Sequence, residues 1–161
     1  GDNSSDQLRV PVGVFTEVTL GDAHACAITD QGKAFCWGNN LYNQAAAPGD
    51  RVFVMLSAGS RFTCGVELGG QATCWGSNEA DIIEEPEDAL STLSSGSLHV
   101  CGLRKGDGTM VCWGNDVFGQ ATTLPGAFAQ VAAGDQHTCA LTPEEAIHCT
   151  ANALSDVSVA R

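Results

Sequence analysis

Short stretches in which apolar and polar residues tend to alternate recur along this chain, each lying shortly before a glycine. They cover residues 15–20, 52–56, 90–93 and 128–133. After each glycine come two more short apolar stretches, separated by a turn that contains glycine or proline. Alternation with a period of two indicates strands, and two strands joined by a short turn indicate a β-hairpin. The pattern predicts at least three strands in each unit, with room for a fourth in the connecting segment.

Cysteine and glycine positions keep the same period as the strands. The eight cysteines form four pairs whose first members recur at steps of 38, 37 and 38 residues, and a glycine stands five residues ahead of each. Trp-Gly follows the second cysteine of three pairs, at Trp37, Trp75 and Trp113. A period near 40 residues built from short strands is typical of β-propeller blades rather than helical repeats. We therefore predict an all-β protein with about four blades, forming an arc of a propeller.

The repeat also sets the expected domain organisation. We expect a single partial β-propeller domain over residues 1–161, with units at roughly 15–44, 52–82, 90–120 and 128–152. Residues 1–7 keep the spacing of residues 114–120, and residues 157–160 look like the start of another strand before a glycine. These ends predict that the chain is a piece of a longer array.

Repeat symmetry leaves two sensible cysteine pairings, within a unit or between neighbouring units. Partners within a unit lie on facing strands of one hairpin, at a separation that a disulfide can span. We favour Cys26–Cys36, Cys64–Cys74, Cys101–Cys112 and Cys139–Cys149. Zinc is the alternative, because three units place a histidine two residues before the first cysteine, but the second unit has Phe62 there. Disulfides require an oxidising compartment, so we expect a secreted or extracellular protein with no metal and no cofactor.

The repeated histidines and tryptophans are interpreted as structural. His24, His99 and His137 are predicted to pack beside their blades and bond to the backbone, whereas His148 has no counterpart and is predicted to face solvent. The tryptophans are predicted to fill space between stacked sheets. The polar residues that follow Trp-Gly are predicted to cap a turn by bonding to their own backbone; they are Asn40, Asn78 and Asp116.

Charge narrows the choice of partner. The net charge is −12, and the seven lysines and arginines are scattered except for Arg104-Lys105. Affinity for a phosphate backbone comes mainly from clustered positive charge, so neither nucleic acid nor an acidic membrane surface is expected as a partner. No apolar run approaches the roughly 20 residues of a membrane helix, so no membrane insertion is expected in this segment.

One acidic segment departs more than any other from its counterparts in the repeat. Its acids are Glu79, Asp81, Glu84, Glu85, Glu87 and Asp88. Variable loops on a rigid scaffold usually carry binding specificity, so this segment is the candidate partner-facing loop. Carboxylates also bind calcium, but no regular calcium loop such as the EF-hand is present. Separately, Asn3-Ser4-Ser5 fits the glycan-acceptor pattern, which makes Asn3 a candidate glycosylation site.

The repeat resembles that of the regulator of chromosome condensation family. The resemblance rests on Gly21-Asp22-Ala23-His24, on Trp37-Gly38-Asn39-Asn40 with Gln44, and on Trp113-Gly114-Asn115-Asp116 with Gly119-Gln120. It implies a seven-bladed propeller. The second unit lacks the Gly-Gln, and the fourth has Thr150-Ala151 in place of Trp-Gly. The cysteine pair in each unit is similar to the extracellular branch, which includes crinkly-type receptor ectodomains and secreted bacterial repeat proteins.

These observations predict an extracellular or cell-surface interaction module that presents propeller loops to a protein partner. We do not expect an enzyme, because no nucleophile elbow, zinc-binding helix motif or phosphate loop is found. One alternative is a structural subunit of an extracellular assembly or filament, joined through the edges of the open arc. Another is a secreted enzyme inhibitor that acts by surface binding. Four units fill part of a seven-bladed ring, so closure is expected from further repeats or another subunit.

Overall fold

The computed structural model describes residues 2–150, which form twelve strands in four three-stranded antiparallel sheets. The sheets are named blades 1 to 4 in chain order, and each keeps its strands in sequence order. Blade 1 contains β1 (Phe15–Leu20), β2 (His24–Thr29) and β3 (Ala34–Gly38). Blade 2 contains β4 (Phe53–Ala58), β5 (Phe62–Glu67) and β6 (Ala72–Gly76). Blade 3 contains β7 (Leu90–Ser95), β8 (His99–Arg104) and β9 (Met110–Gly114), and blade 4 contains β10 (Gln130–Ala133), β11 (Thr138–Leu141) and β12 (Ile147–Thr150).

The prediction of an all-β fold made of propeller blades is confirmed. Within residues 2–150 no fourth strand joins any of the sheets, so the connecting segments are loops with one short 3-10 helix, Glu79–Asp81. Gly1 and the predicted strand at 157–160 lie outside the described residues.

Hairpin register places the two cysteines of each unit opposite one another. In blade 1, Cys26 faces Cys36 across β2 and β3, with Cα atoms 4.0 Å apart. The same pairing recurs in the other blades, as Cys64–Cys74, Cys101–Cys112 and Cys139–Cys149. All eight cysteines are therefore bridged within their own unit, as the sequence favoured.

The first strands of the blades lie on the inner side of the arc, where β1, β4, β7 and β10 contact one another in turn. Each is an edge strand of its sheet, and an edge strand exposes unpaired backbone donors. The preceding blade supplies a hydroxyl oxygen to one of these donors at 2.9–3.0 Å; the pairs are Ala58 N to Thr19, Ser95 N to Ser57, and Ala133 N to Ser94. One backbone N–H of each inner strand in blades 2 to 4 is thus satisfied by the preceding blade.

The core lies between consecutive blades. At the first junction, Cys26 and Ile28 of blade 1 share a buried cluster with Phe53, Leu56 and Trp75 of blade 2. Comparable clusters fill the second and third junctions. Each disulfide of blades 1 to 3 therefore contributes to a packed interior as well as closing a hairpin.

Two junctions contain a buried histidine. His24 Nε2 lies 2.8 Å from the Oγ1 of Thr63 in blade 2, and that hydroxyl donates to the carbonyl of Gln44 at 3.2 Å. Since the hydroxyl proton is used, Nε2 carries a proton and donates to Thr63. His99 bonds Thr138 in the same way, also at 2.8 Å. The structural interpretation holds for both, but the partner is a hydroxyl of the next blade rather than backbone.

The middle junction uses an apolar pair at the same positions. Phe62 takes the histidine position in blade 2, and Val100 takes the threonine position in blade 3; both are buried in one cluster. His137, in blade 4, is exposed, and so is His148.

Each tryptophan spans the space between a blade and the segment that precedes it. Its indole N–H donates to a loop carbonyl at 2.9–3.0 Å, from Trp37 to Gln7, from Trp75 to Gln44, and from Trp113 to Ile82. Thr150 replaces tryptophan in blade 4, and its hydroxyl reaches the carbonyl of Gln120 at 3.4 Å. Trp75 is buried in the cluster of the first junction, Trp113 packs partly buried against the second, and Trp37 is half-buried at the end of the arc. All three anchor a loop, and two of them also pack in the core.

Removing an interior disulfide is expected to cost more stability than removing the last one. Cys64→Ala/Cys74→Ala should lower the free energy of unfolding by about 3–4 kcal/mol, against about 2–3 kcal/mol for Cys139→Ala/Cys149→Ala. Both bridges close loops of separation 10, so the difference reports the packing around the buried Cys64–Cys74 pair. Denaturant unfolding measures both values, and an equal loss in both variants would contradict this packing role.

Acid is expected to weaken the first and third junctions. Burial lowers the pKa of His24 and His99 below the usual 6.5, and the charge of His137 adds to the effect at His99. Below pH 6.5 the unfolded chain then binds more protons than the folded one, so the free energy of unfolding should fall as the pH drops.

Urea unfolding between pH 7 and pH 5 tests this expectation. His24→Phe/Thr63→Val copies the apolar middle junction and should reduce the loss on acidification. An unchanged pH dependence in that variant would show that His24 does not contribute.

Candidate functional site

The segment before blade 1 and the three segments that connect the blades fold into one repeated loop. In each, a side-chain oxygen accepts a hydrogen bond from the backbone N–H five residues later, at 2.8–2.9 Å. The pairs are Asn3 with Leu8, Asn40 with Ala45, Asn78 with Ile83, and Asp116 with Ala121. The turn-capping role predicted for Asn40, Asn78 and Asp116 is therefore observed, and Asn3 has the same role. Each loop is held in a fixed shape by its own side chain.

A glutamine closes three of these loops further. In the segment before blade 1, Gln7 accepts from the N–H of Ser5 at 2.9 Å and donates to Asp2 at 3.4 Å. Gln44 accepts from the N–H of Tyr42 at 2.9 Å and donates to Asn39 at 3.1 Å. Gln120 makes the equivalent bonds to Phe118 and Asn115. Gln44 and Gln120 are buried, so the residues between each of them and the preceding cap are presented on a rigid support.

The tips of three such loops carry exposed side chains of different character. The two residues after the cap are Leu41-Tyr42 in the loop after blade 1, Glu79-Ala80 in the loop after blade 2 and Val117-Phe118 in the loop after blade 3. Leu41 is 84% exposed and Val117 is 74% exposed. We name Leu41, Tyr42, Glu79, Val117 and Phe118 the loop-tip row. It places an acidic tip between two apolar ones.

Arg61 links two of the tips. Its guanidinium carbon lies 4.8 Å from the centre of the Tyr42 ring, a cation–π distance, and its Nη1 lies 3.8 Å from Glu79 Oε2. The first and second tips are thus adjacent on the surface.

The structure divides the six acids of the candidate partner-facing loop. Glu79, Asp81, Glu84 and Glu87 are exposed. Glu85 accepts a hydrogen bond from the backbone N–H of Cys74, and Asp88 forms an ion pair with Arg104 at 3.0 Å. Four carboxylates are therefore exposed, of which Glu79 faces Arg61, and two hold the segment against the blades.

A polar groove of about 480 Å³ lies where the turns between the first and second strands converge. Each turn contributes one polar residue, namely Asp22, Ser60, Ser97 and Asp135. Ser60 Oγ donates to Asp22 Oδ2 at 2.6 Å. A Cβ on Gly21 would overlap the carbonyl oxygen of Gly59 in the next blade, which explains the recurring glycine. The groove offers hydroxyls and carboxylates for hydrogen bonding.

Outside this groove and the acidic segment, the titratable side chains of the described residues do not form a cluster that could bind a metal ion. Among residues 2–150, no three histidine, cysteine or acidic side chains lie close enough together to hold a metal ion. The same part of the chain has no helix of the length and hydropathy needed to cross a membrane. The described surface is suited to recognition through shape, apolar contact and charge.

Sequence reasoning did not identify most of the loop-tip row. Four of its residues lie between a cap and a glutamine that recur in their loops; they are Leu41, Tyr42, Val117 and Phe118. An alignment of the repeats with one another could have identified them, because these positions vary between units while the cap and the glutamine stay the same. Asn3 lies exposed in the segment before blade 1, and its glycosylation stays a prediction.

Comparison with known proteins agrees with the fold of the four blades. Residues 15–44 and 91–120 match the family model of the regulator of chromosome condensation (RCC1) repeat. No curated protein matches the chain. The entire ectodomain of the Physcomitrella patens receptor kinase CR4 is similar at 30% identity and a TM-score of 0.77, with 88% of this chain and 42% of that chain covered.

Two further solved structures share the fold. The CRINKLY WD40 ectodomain of the Arabidopsis thaliana receptor kinase ACR4 is 27% identical with a TM-score of 0.75, covering 85% of this chain and 50% of that chain. Yeast RCC1 (Prp20), in its structure bound to Kap60, is 15% identical with a TM-score of 0.73, covering 87% of this chain and 45% of that one. The chain thus spans half or less of these proteins. Blades 1 and 3 carry RCC1 repeats, and all four blades have the fold of RCC1-like propeller domains.

Proposed function

We propose that this chain belongs to an extracellular or cell-surface module that binds a protein partner through the loop-tip row and performs no catalysis. The observation that carries the proposal is the row itself. Exposed apolar tips flank an acidic tip, and hydrogen bonds from the buried Gln44 and Gln120 hold the apolar tips in place. Rigid loops lose little conformational freedom on binding, which favours affinity.

The apolar tips supply the type of residue that dominates protein interfaces. Tyrosine and arginine are enriched among the residues that contribute most binding energy, and Tyr42 already packs against Arg61. Leu41, Val117 and Phe118 add apolar area that remains in water in the free chain. A partner that covers these tips would remove this area from water.

Charge favours a partner with a basic surface. One segment presents four exposed acids on a chain whose net charge is −12; they are Glu79, Asp81, Glu84 and Glu87. Complementary charge accelerates association and disfavours acidic competitors. This excess of acid also disfavours phosphate-bearing ligands.

The disulfide bonds support the proposed extracellular location. All eight cysteines are bridged, a state that persists in oxidising compartments and is rare in the cytosol. The ectodomains of the two receptor kinases support the same setting. The chain covers half or less of those ectodomains, so their roles as whole proteins are not transferred to it.

The role of the apolar tips is tested by measuring binding to a partner that is isolated from extracellular material with the intact protein as bait. Tyr42→Ala/Phe118→Ala should weaken its affinity by about tenfold or more, because two aromatic anchors are lost. Val54→Ala/Leu68→Ala removes exposed apolar side chains elsewhere and should leave the affinity unchanged. Surface plasmon resonance measures both. Equal affinities for the two variants would refute the role of the loop-tip row.

The acidic segment is tested by charge neutralisation. Glu79→Gln/Glu84→Gln/Glu87→Gln should slow association with that partner by about 3- to 10-fold at low salt, with a weaker effect at high salt. The matched control, Asp30→Asn/Asp50→Asn/Glu144→Gln, removes three exposed charges outside the segment. If both variants slow association equally, net charge rather than this segment is responsible.

A further inference from the structure

The polar groove at the inner side of the arc is a built cavity that the loop-tip row does not include. Its volume of about 480 Å³ falls within the range of about 300–1,000 Å³ that is typical of ligand sites. The turns that form it are in direct contact, because a Cβ on Gly21 or Gly96 would overlap the carbonyl oxygen of the glycine in the next blade. We name it the rim groove; its polar side chains are Asp22, Ser60, Ser97 and Asp135.

Among the described residues, every charged side chain that lines the rim groove is acidic. Asp22 lies at its blade 1 end and Asp135 at its blade 4 end, and both are exposed. Ser60 and Ser97 lie between them. Because Ser60 Oγ donates its proton to Asp22 Oδ2 at 2.6 Å, the lone pairs of Oγ remain for a donor from outside. A ligand with a positive charge and several donors fits this set of acceptors.

Two buried imidazoles behind the wall of the groove add to its negative potential. His24 and His99 are 2% and 0% exposed, and Nδ1 of each has no hydrogen-bond partner within residues 2–150. Since Nε2 of each ring donates to a threonine of the next blade, Nδ1 carries the lone pair. The ring edge with Cε1 and Nδ1 packs against a glycine that lines the groove, Gly21 or Gly96. Each neutral imidazole thus turns the negative end of its dipole toward the groove.

The rim groove opens on the same side of the molecule as the loop-tip row. Each outer strand ends opposite the start of the middle strand, so the connecting loops begin beside the turns that form the groove. Arg61 joins the two regions directly. It follows Ser60 in the chain, and its guanidinium reaches Tyr42 and Glu79 of the row. A partner that covers the row is therefore within reach of the groove.

We propose that the rim groove binds a basic side chain, arginine by preference, that projects from the protein partner of the loop-tip row. A guanidinium presents five donors in a planar fork and can bind a carboxylate through two parallel hydrogen bonds. The mainly polar lining disfavours an independent small molecule, whose affinity would depend on apolar contact. A side chain on a docked partner needs no such contact, because the row supplies it. The inference rests on the proposed function for its partner and adds the residue class that the groove selects.

The groove is tested first without a partner, by NMR titration of the isotope-labelled chain with Nα-acetyl-arginine amide. The backbone amide signals of Ser60 and Ser97 should shift, with a dissociation constant of about 1–10 mM. Nα-acetyl-citrulline amide has nearly the same shape without the charge and should leave these signals in place. Asp22→Asn/Asp135→Asn replaces two exposed side chains and should weaken arginine binding by at least about threefold.

The other results of this titration overturn the proposal. Equal shifts with the citrulline compound would show that charge is not recognised. Unchanged arginine binding in the variant would locate the site outside the groove. Absence of any shift would show that the groove does not select a guanidinium, and tighter binding of Nα-acetyl-lysine amide would overturn the preference for arginine.

Surface plasmon resonance with the isolated partner separates this inference from the proposed function. Asp22→Asn/Asp135→Asn should weaken the affinity by at least about tenfold. The matched control, Asp30→Asn/Asp50→Asn, removes the same charge at exposed positions outside the groove and should change the affinity by less than about twofold.

The two hypotheses fail in different ways. If the groove variant equals the control while substitutions in the loop-tip row still weaken binding, the groove inference fails and the proposed function stands. If substitutions in the row have no effect, the proposed function fails, and with it the source of the side chain. An arginine response in the titration would then still establish the groove as a guanidinium site.

Discussion

The apolar side chains of each blade can leave water only when another sheet lies against them, and this requirement organises the molecule. A three-stranded sheet of short strands has too little area to form an interior by itself. Leu56 and Val18 illustrate the point, since they occupy the same repeat position. One is buried between two blades, and the other faces solvent at the end of the arc. Stability therefore depends on the junctions as much as on the strands.

The junctions reach similar burial by different chemistry. His24 donates to Thr63, whose hydroxyl donates to the carbonyl of Gln44, and Nδ1 of the imidazole has no partner among the described residues, whereas Phe62 and Val100 have no polar side-chain atoms. Both solutions exclude water, but the polar one depends on a neutral imidazole, whose pKa burial lowers. A polar junction also selects its partner more strictly, because a mismatch leaves a buried donor unpaired. The order of residues at these positions can therefore specify which blades are neighbours.

Structural and binding roles are separated within each connecting loop. The residues that recur from unit to unit, such as Asn40 and Gln44, bond the loop to itself. Those that differ, such as Tyr42 and Phe118, reach solvent at the tips. The scaffold can thus accept a new surface by changing the tips while the hydrogen bonds beneath them remain. This arrangement suits a module whose specificity resides in its loops.

The sequence by itself determined the strands, the units and the disulfides. Alternation and hairpin turns are relations between residues close in the chain, so Cys26 and Cys36 could be placed opposite one another without a structure. It also indicated the acidic segment, but not which of its acids are free. Glu85 and Asp88 are engaged by Cys74 and by Arg104.

The partners across junctions were decided by the tertiary structure. His24 meets Thr63, 39 residues away, and Arg61 joins Tyr42 to Glu79 across two loops. Such contacts depend on how one unit stacks on the next, through the rotation and spacing of whole sheets. A period in the sequence shows that units repeat. It does not contain the distances between their side chains, which exist only once the blades have packed.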